Sequence, residues 1–210
     1  MMKRTALSLT LLTLASLSGC ASTSQPAAAP AATAQAESAD AVGAEERISF
    51  FVNDARSGHL EQVVAALDHG VPVDSVDAVD QTALLAAASK NHLAIAKLLL
   101  DRGANPEYRD PAGWTPLIHA TYFGSSLELI SLLVEKGANV NTQNDRGVTA
   151  LYLAAAGGHE AYVQHLLKLG ADPKLATKSG YTPLRVAQAN GLTKIVALLE
   201  SGPAPASSTH

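Results

Sequence analysis

The chain has 210 residues, of which 47% are hydrophobic and 16% are charged, and its formal net charge at pH 7 is −4. A mildly acidic chain lacks the basic surface that nucleic acids require, so we expect no nucleic-acid partner. Because Cys20 is the single cysteine, no disulfide can form within the chain.

The first 19 residues have the composition of an export signal. Lys3 and Arg4 supply positive charge, residues 6–17 are almost wholly apolar or hydroxylic, and two small residues precede Cys20. The apolar stretch of about a dozen residues is shorter than the roughly 20 that a membrane-spanning helix needs. We therefore expect residues 1–19 to be removed as a signal peptide, which lowers the net charge from −4 to −6.

The tetrad Leu-Ser-Gly-Cys at 17–20 resembles the lipobox of bacterial lipoproteins. The resemblance implies cleavage just before Cys20, which then carries a diacylglyceryl group as the first residue of the mature chain. The next residue is Ala21. In lipoproteins of the enteric type, a residue other than aspartate at this position favours transport to the outer membrane. We expect a lipid-anchored protein of the bacterial cell envelope that faces the periplasm. Ordinary cleavage within "AAAPAATAQA" would instead leave a soluble periplasmic protein.

Residues 20–44 are predicted to be a flexible tether. They are rich in Ala, Ser, Gln and Pro and contain no aromatic residue, so they cannot bury enough apolar surface to fold. A short alanine-driven helix is the alternative for part of this segment, although Pro26 and Pro30 interrupt that pattern. We expect one folded domain over residues 45–202 and a disordered tail over residues 203–210.

A motif recurs through the predicted domain at a nearly constant period. One copy reads "GWTPLIHATYFGSSLELISLLVEKGANVN". The copies place threonines at positions 82, 115, 149 and 182, with separations of 33, 34 and 33. An earlier copy that matches the motif less well begins at Ser49. Each threonine is predicted to cap a short helix, and a second helix with apolar residues at helical spacing follows. These residues resemble ankyrin repeats. The resemblance implies an all-α solenoid of about five helix-turn-helix repeats with short β-hairpin loops.

Details of the motif predict where these helices begin and end. Pro116 and Pro183 occupy the first helical position, where a missing N–H costs nothing. Glycines are expected to end the second helices, at Gly70, Gly103, Gly137 and Gly170. One extra residue near Ser125 and Ser126 accounts for the separation of 34 and predicts a local irregularity.

Metal-binding and catalytic motifs are absent from the sequence. His59, His92 and His159 occupy the same repeat position on helices expected to lie about 8–10 Å apart, too far to share an ion at bond lengths near 2 Å. The sequence contains no nucleophile elbow, phosphate-binding loop or dinucleotide loop, and Cys20 is assigned to the anchor. We expect no metal, no cofactor and no enzymatic activity; an unrecognised catalytic site is the distant alternative.

The family resemblance implies that hairpin tips and the exposed side of the first helices form a concave face for a protein partner. Four of the nine aromatic residues fall there by position, and aromatic side chains are favoured binding anchors. Inward packing of two of them, the tryptophan and the phenylalanine, is the alternative. The predicted partner-binding residues are Trp114, Tyr122, Phe123, Tyr181, Gln81, Lys90, Arg109, Asp110, Asp145, Arg146 and Lys178.

These features predict a non-enzymatic protein-binding module that is displayed on the periplasmic side of a bacterial membrane. Its partner is an unidentified protein, and we expect the chain to be monomeric. Two more specific hypotheses are an immunity or inhibitor protein that occludes a periplasmic toxin or hydrolase, and an envelope stress-protection factor.

The substitution Cys20→Ser should abolish labelling by radioactive palmitate and move the protein from membrane to soluble fractions, because the thiol is the proposed site of acylation. Ser22→Ala, which leaves the tetrad intact, serves as the control. Unchanged labelling of the Cys20→Ser variant would refute the lipid anchor.

Overall fold

The structure is a computed structural model, and it describes the backbone of residues 31–201 and the side chains of residues 43–201. Residues 1–30, which include the predicted signal peptide and Cys20, and the predicted tail lie outside the described residues. None of the helices within residues 31–201 is long and apolar enough to cross a membrane.

Ten α-helices follow one another along the described chain. They form five pairs in which a first helix is followed by a second helix. Their bounds are α1 Ala31–Ser57, α2 Leu60–Asp68, α3 Ala83–Ser89, α4 Leu93–Asp101, α5 Pro116–Phe123, α6 Leu127–Glu135, α7 Ala150–Ala156, α8 Glu160–Lys168, α9 Pro183–Ala189 and α10 Thr193–Ser201.

The pairs stack side by side. First helices pack on first helices in the order α1, α3, α5, α7 and α9, while α2 packs on α4, α4 on α6 and α8 on α10. A hydrogen bond 2.8 Å long between the Ser131 hydroxyl and Nε2 of His165 also joins α6 to α8. The predicted all-α solenoid of five helix-turn-helix repeats is confirmed.

Each repeat after the first begins with a capped helix. The Thr115 hydroxyl accepts a hydrogen bond from the backbone N–H of Ile118 at 3.4 Å, and Thr149 accepts from Tyr152 at 3.1 Å. Such a cap satisfies one of the backbone donors left free in the first turn of a helix. The same bond forms at Thr82 and Thr182, and Pro116 and Pro183 take the first helical position as predicted.

The core contains large aliphatic side chains from both rows of helices and alanines that come mainly from the first helices. Leu99 and Leu133 have no exposed surface, and Ala87 and Ala154 are also fully buried between first helices. Small side chains let the first helices approach closely, while the leucines fill the space against the neighbouring repeat. Because no repeat can bury its apolar side alone, each one depends on its neighbours.

Helix α1 is longer than the sequence predicts. It begins at Ala31, inside the segment over residues 20–44 that is predicted to be a flexible tether. Alanine has the highest helix propensity, and no proline follows Pro30 until Pro72, so the alternative of an alanine-driven helix describes residues 31–44. Residues 20–30 lie outside the described residues.

The loops between repeats are tight turns. Within residues 31–201 no β-strand forms, and the one bridge is isolated, between Val76 and Thr82. Each predicted hairpin is instead closed by two backbone hydrogen bonds, in the third repeat from Asp110 N–H to the Trp114 carbonyl at 3.1 Å and from Gly113 N–H to the Asp110 carbonyl at 2.8 Å. We call these segments, residues 77–81, 110–114, 144–148 and 177–181, the tips.

The predicted irregularity lies at the end of α5. This helix has eight residues where α3, α7 and α9 have seven, so Phe123 is helical, and Gly124 ends the helix at φ 77°. The Ser126 side chain caps α6, and the Ser125 hydroxyl donates a hydrogen bond of 2.6 Å to the Ala88 carbonyl of the preceding repeat. The extra residue thus adds a cap and a bond between repeats.

The substitution Leu133→Ala should lower the free energy of unfolding by about 2–5 kcal/mol, since it leaves a cavity between fully buried neighbours. Urea denaturation followed by circular dichroism measures the change. Glu135→Ala, an exposed position on the same helix, is the control and should change stability by less than about 0.5 kcal/mol. Equal effects of the two substitutions would contradict the stacking described above.

Candidate functional site

An open pocket with a volume of about 470 Å³ lies between α5 and the tips of the third and fourth repeats. We call it the aromatic pocket. Six of its eight lining residues belong to the predicted partner-binding set, and the other two are Ala112 and His119. The six are Asp110, Trp114, Tyr122, Phe123, Asp145 and Arg146.

Three aromatic rings meet edge to face in this pocket. The Trp114 and Tyr122 ring centroids are 5.0 Å apart with an interplanar angle of 84°, and those of Tyr122 and Phe123 are 5.1 Å apart at 86°. Edge-to-face pairs place the positive edge of one ring on the negative face of another, which is favourable. Trp114 is half-buried, whereas Tyr122 and Phe123 are 57% and 54% exposed. Phe123 therefore does not fold inward.

The Asp110 carboxylate holds the backbone beside the rings. Its Oδ1 accepts hydrogen bonds from the backbone N–H groups of Ala112 and Trp114, at 2.9 and 2.8 Å. Its Oδ2 lies 2.9 Å from Nε2 of His119, which donates to it. Asp110 was predicted as a partner-binding residue, and these contacts also give it a structural role, because they fix the position of Trp114.

His119 is a buried residue of the pocket lining and was not among the predicted site residues. It is 8% exposed, its ring stacks on Phe123 with the ring centroids 5.8 Å apart, and it meets the Trp114 ring in a T-shaped arrangement with the centroids 5.4 Å apart. Its Nδ1 atom is buried and has no hydrogen-bond partner within the described part of the chain. The sequence did carry a signal: ankyrin repeats usually have a histidine directly after Thr-Pro-Leu, and here Ile118 holds that position and a histidine follows one residue later.

Asp145 reaches the pocket from the fourth repeat. Gly113 has φ 75°, and a Cβ atom at that position would lie 2.5 Å from Oδ1 of Asp145 and 2.8 Å from its backbone nitrogen. Only glycine leaves room for this approach, which brings the carboxylate beside Trp114. Asp145 and Arg146 are both exposed, and neither side chain forms a hydrogen bond or ion pair with another described residue.

The remaining predicted residues lie outside the aromatic pocket. Tyr181 is 44% exposed, and the Arg185 guanidinium covers its ring at 5.1 Å. Gln81 accepts a hydrogen bond from Arg56, and Arg109 donates one to the Gln143 carbonyl. Lys90 and Lys178 are exposed. The predicted set therefore separates into one cluster around α5 and scattered residues, of which Gln81, Lys178 and Tyr181 lie on the tips of the second and fifth repeats.

The three histidines at the equivalent helix starts have different contacts. Nε2 of His92 donates to the Arg56 carbonyl at 3.0 Å and so joins the first two repeats, while His59 lies 3.1 Å from the Asp54 carboxylate. Neither these two nor His159 caps the following helix with its side chain. Among the residues that the structure describes, no group of three His, Cys, Asp or Glu side chains is placed to hold a metal ion.

Tyr108 lies outside the pocket and contacts the tip of the second repeat. Burial raises the pKa of its phenol, and the nearby carboxylates of Asp80 and Asp110 raise that pKa further. The hydroxyl therefore stays protonated at neutral pH and donates to the Asp80 carbonyl at 3.3 Å. This contact fastens the tip of the second repeat to the chain that leads into the third.

The substitution Asp110→Ala should lower stability by about 1–3 kcal/mol, because it leaves three donors without an acceptor. Asp110→Asn is the matched control and should cost less, since Asn144 accepts the same two backbone bonds in the next repeat, at 2.9 Å each. Thermal and urea denaturation measure both variants. If alanine and asparagine prove equally tolerated, the carboxylate does not support the tip.

Comparison with known proteins agrees with this architecture. The family described as ankyrin repeats in three copies matches residues 52–144 and 125–207. The chain is 34% identical over 127 residues to human SH3 and multiple ankyrin repeat domains protein 2, a match that covers 60% of this chain and 7% of that protein. It is 40% identical over 108 residues to the Drosophila melanogaster ankyrin repeat and KH domain-containing protein mask, covering 49% and 3%.

A mouse protein, ankyrin repeat, SAM and basic leucine zipper domain-containing protein 1, is 32% identical over 144 residues, which are 67% of this chain and 29% of that protein. The chain thus matches less than a third of the length of each of these three relatives. The repeat period, the capped helices and the match over residues 52–207 lead to one conclusion: the chain belongs to the ankyrin-repeat family.

Proposed function

We propose that this chain is a non-enzymatic interaction module that binds a protein partner through the aromatic pocket and the tips beside it. The observation that carries the proposal is the exposure of Tyr122 and Phe123, which are 57% and 54% exposed next to Trp114. Large aromatic side chains that cluster at a surface mark interaction sites, and tryptophan and tyrosine dominate binding hot spots.

The chemistry of the pocket supports binding over catalysis. Its lining contains no serine, threonine, cysteine or lysine, which are common nucleophiles of covalent catalysis. The one histidine is 8% exposed and is engaged with Asp110. Apart from His119 and its partner Asp110, the lining presents three aromatic side chains, the Asp145 carboxylate and the Arg146 guanidinium, and aromatic residues and arginine are enriched at protein interfaces.

The charges on the tips favour a protein over a polyanion. Arg146 and Lys178 are exposed on adjacent tips, but Asp145 is exposed directly beside Arg146, and Asp80 is exposed on the tip of the second repeat. A surface with both signs interspersed repels neither sign strongly, whereas nucleic acids require a continuous basic surface.

We further propose that the module is lipid-anchored through Cys20 and faces the periplasm, with the outer membrane favoured. The support is the export-signal composition of residues 1–19 and the tetrad at 17–20. Ten residues separate Cys20 from the start of α1, and they reach at most about 35 Å. The domain would work as a monomer close to the membrane surface.

The double variant Tyr122→Ala/Phe123→Ala should reduce recovery of the partner at least tenfold when the tagged full-length chain is used to capture proteins from an envelope extract, since two hot-spot aromatics contribute about 2 kcal/mol or more. Quantitative mass spectrometry of the captured proteins measures the loss. The two side chains are more than half exposed, so the helical circular dichroism signal should be retained.

The matched control is Lys97→Ala/Gln164→Ala, which alters two exposed residues on second helices, α4 and α8. Recovery should equal that of the unaltered chain. A protein that the control and the double variant capture equally well is bound elsewhere, and that outcome would reject the aromatic pocket as the binding surface.

A further inference from the structure

We infer that the aromatic pocket receives an arginine side chain of the partner, held between the aromatic rings and the Asp145 carboxylate. The inference rests on the proposed function, because it names the chemistry of the group that enters the same pocket. Three independent features of the described residues support it: the arrangement of the rings, an unpaired carboxylate and an equivalent contact two repeats away.

The rings suit a flat cation. Aromatic faces attract a guanidinium within about 6 Å of the ring centroid, and a guanidinium is weakly hydrated and stacks on such faces. Trp114 and Tyr122 stand nearly perpendicular, at 84°, as do Tyr122 and Phe123, at 86°. Two perpendicular rings form a corner, where a flat group can lie on one face while its edge meets the neighbouring ring.

A carboxylate stands beside the rings without a partner. Asp110 is occupied, because its two oxygens accept from Ala112, Trp114 and His119. Asp145 lies against Gly113, next to Trp114, and its carboxylate makes no hydrogen bond or ion pair within the described residues. A carboxylate can accept two parallel hydrogen bonds from one guanidinium, which gives both attraction and orientation.

The fifth repeat already contains the contact that we assign to the partner. Tyr181 and Trp114 occupy the same register, one residue before the capping threonine, and the Arg185 guanidinium lies 5.1 Å from the centre of the Tyr181 ring. In the third repeat the position equivalent to Arg185 is occupied by Ile118, which is 1% exposed. No cationic side chain at this position of the third repeat can therefore cover the Trp114 ring.

Arg146 is the one lining residue that opposes an arginine guest. It is exposed, and within the described residues its guanidinium neither pairs with a carboxylate nor covers an aromatic ring. An acidic guest would pair with Arg146 but would face two carboxylates and the negative ring faces. With two aspartates against one arginine, the charge of the lining favours a cation, and removal of Arg146 should strengthen its binding.

The test uses Trp114 as a reporter, since it is the single tryptophan of the chain. The full-length chain is titrated with acetyl-Gly-Arg-Gly-amide and with acetyl-Gly-citrulline-Gly-amide, which has nearly the same shape but no charge. The indole N–H resonance of Trp114 is followed by NMR at constant ionic strength. We expect the arginine peptide to bind at least fivefold more tightly than the citrulline peptide.

Two variants test whether the charges of Asp145 and Arg146 determine the preference for arginine over citrulline. Asp145→Asn should reduce the advantage of arginine over citrulline at least threefold and leave citrulline binding unchanged, whereas Arg146→Gln should increase arginine affinity. Glu61→Gln, an exposed carboxylate on α2, is the matched control and should change neither. An equal or stronger response to citrulline, no response to either peptide, or an unchanged preference in Asp145→Asn would overturn the inference.

Failure of this inference is distinguishable from failure of the proposed function. If the Tyr122→Ala/Phe123→Ala variant loses its captured partner while arginine shows no advantage, the pocket binds a partner by another chemistry and only the arginine assignment falls. If the variant keeps its partner as well, both proposals fall.

Discussion

Every other feature of this protein depends on the stacking of repeats that cannot bury their own apolar surfaces. Leu99 and Leu133 lose all exposure only because the neighbouring pair of helices covers them. Polar contacts strengthen the same nearest-neighbour arrangement: the Glu107 carboxylate accepts from Asn139 N–H at 2.9 Å and from the Thr142 hydroxyl at 2.7 Å, one repeat further on. Because the repeats are held in a row, their tips are held in a row as well, and a pocket can form between two of them.

The aromatic pocket follows from that register together with a few local choices. The position before each capping threonine holds Gln81, Trp114, Val148 and Tyr181, so the same backbone site offers an amide, an indole, a small apolar group and a phenol. The third repeat alone adds Tyr122 and Phe123 at the end of its first helix, where the extra residue lengthens α5. The repeat architecture therefore places one side chain before each capping threonine, and the aromatic residues of the third repeat form a pocket at that position.

The sequence predicts most of the fold because its signals are local and repeated. A threonine cap and a leucine spacing need only the neighbouring residues to be interpreted, and both recur in each repeat after the first. The start of α1 is different, since it depends on the balance between alanine propensity and the lack of apolar packing. The pairing of His119 with Asp110 and the approach of Asp145 to Gly113 depend on side-chain direction across nine residues or across repeats. No periodicity encodes such contacts.

Rigidity is what these unpredicted contacts contribute to binding. Ordering a flexible side chain at an interface costs about 0.5–1.5 kcal/mol, so a surface that is already ordered binds more tightly with the same contacts. Asp110 fixes the Trp114 backbone, His119 stacks beneath Phe123, and Tyr122 is held between two rings. Tryptophan, tyrosine and phenylalanine also have only two side-chain torsions to lose. The Nδ1 atom of His119 is buried, and no described residue forms a hydrogen bond with it, which lowers the stability of the third repeat. This loss of stability occurs in the same repeat that carries the exposed aromatic rings.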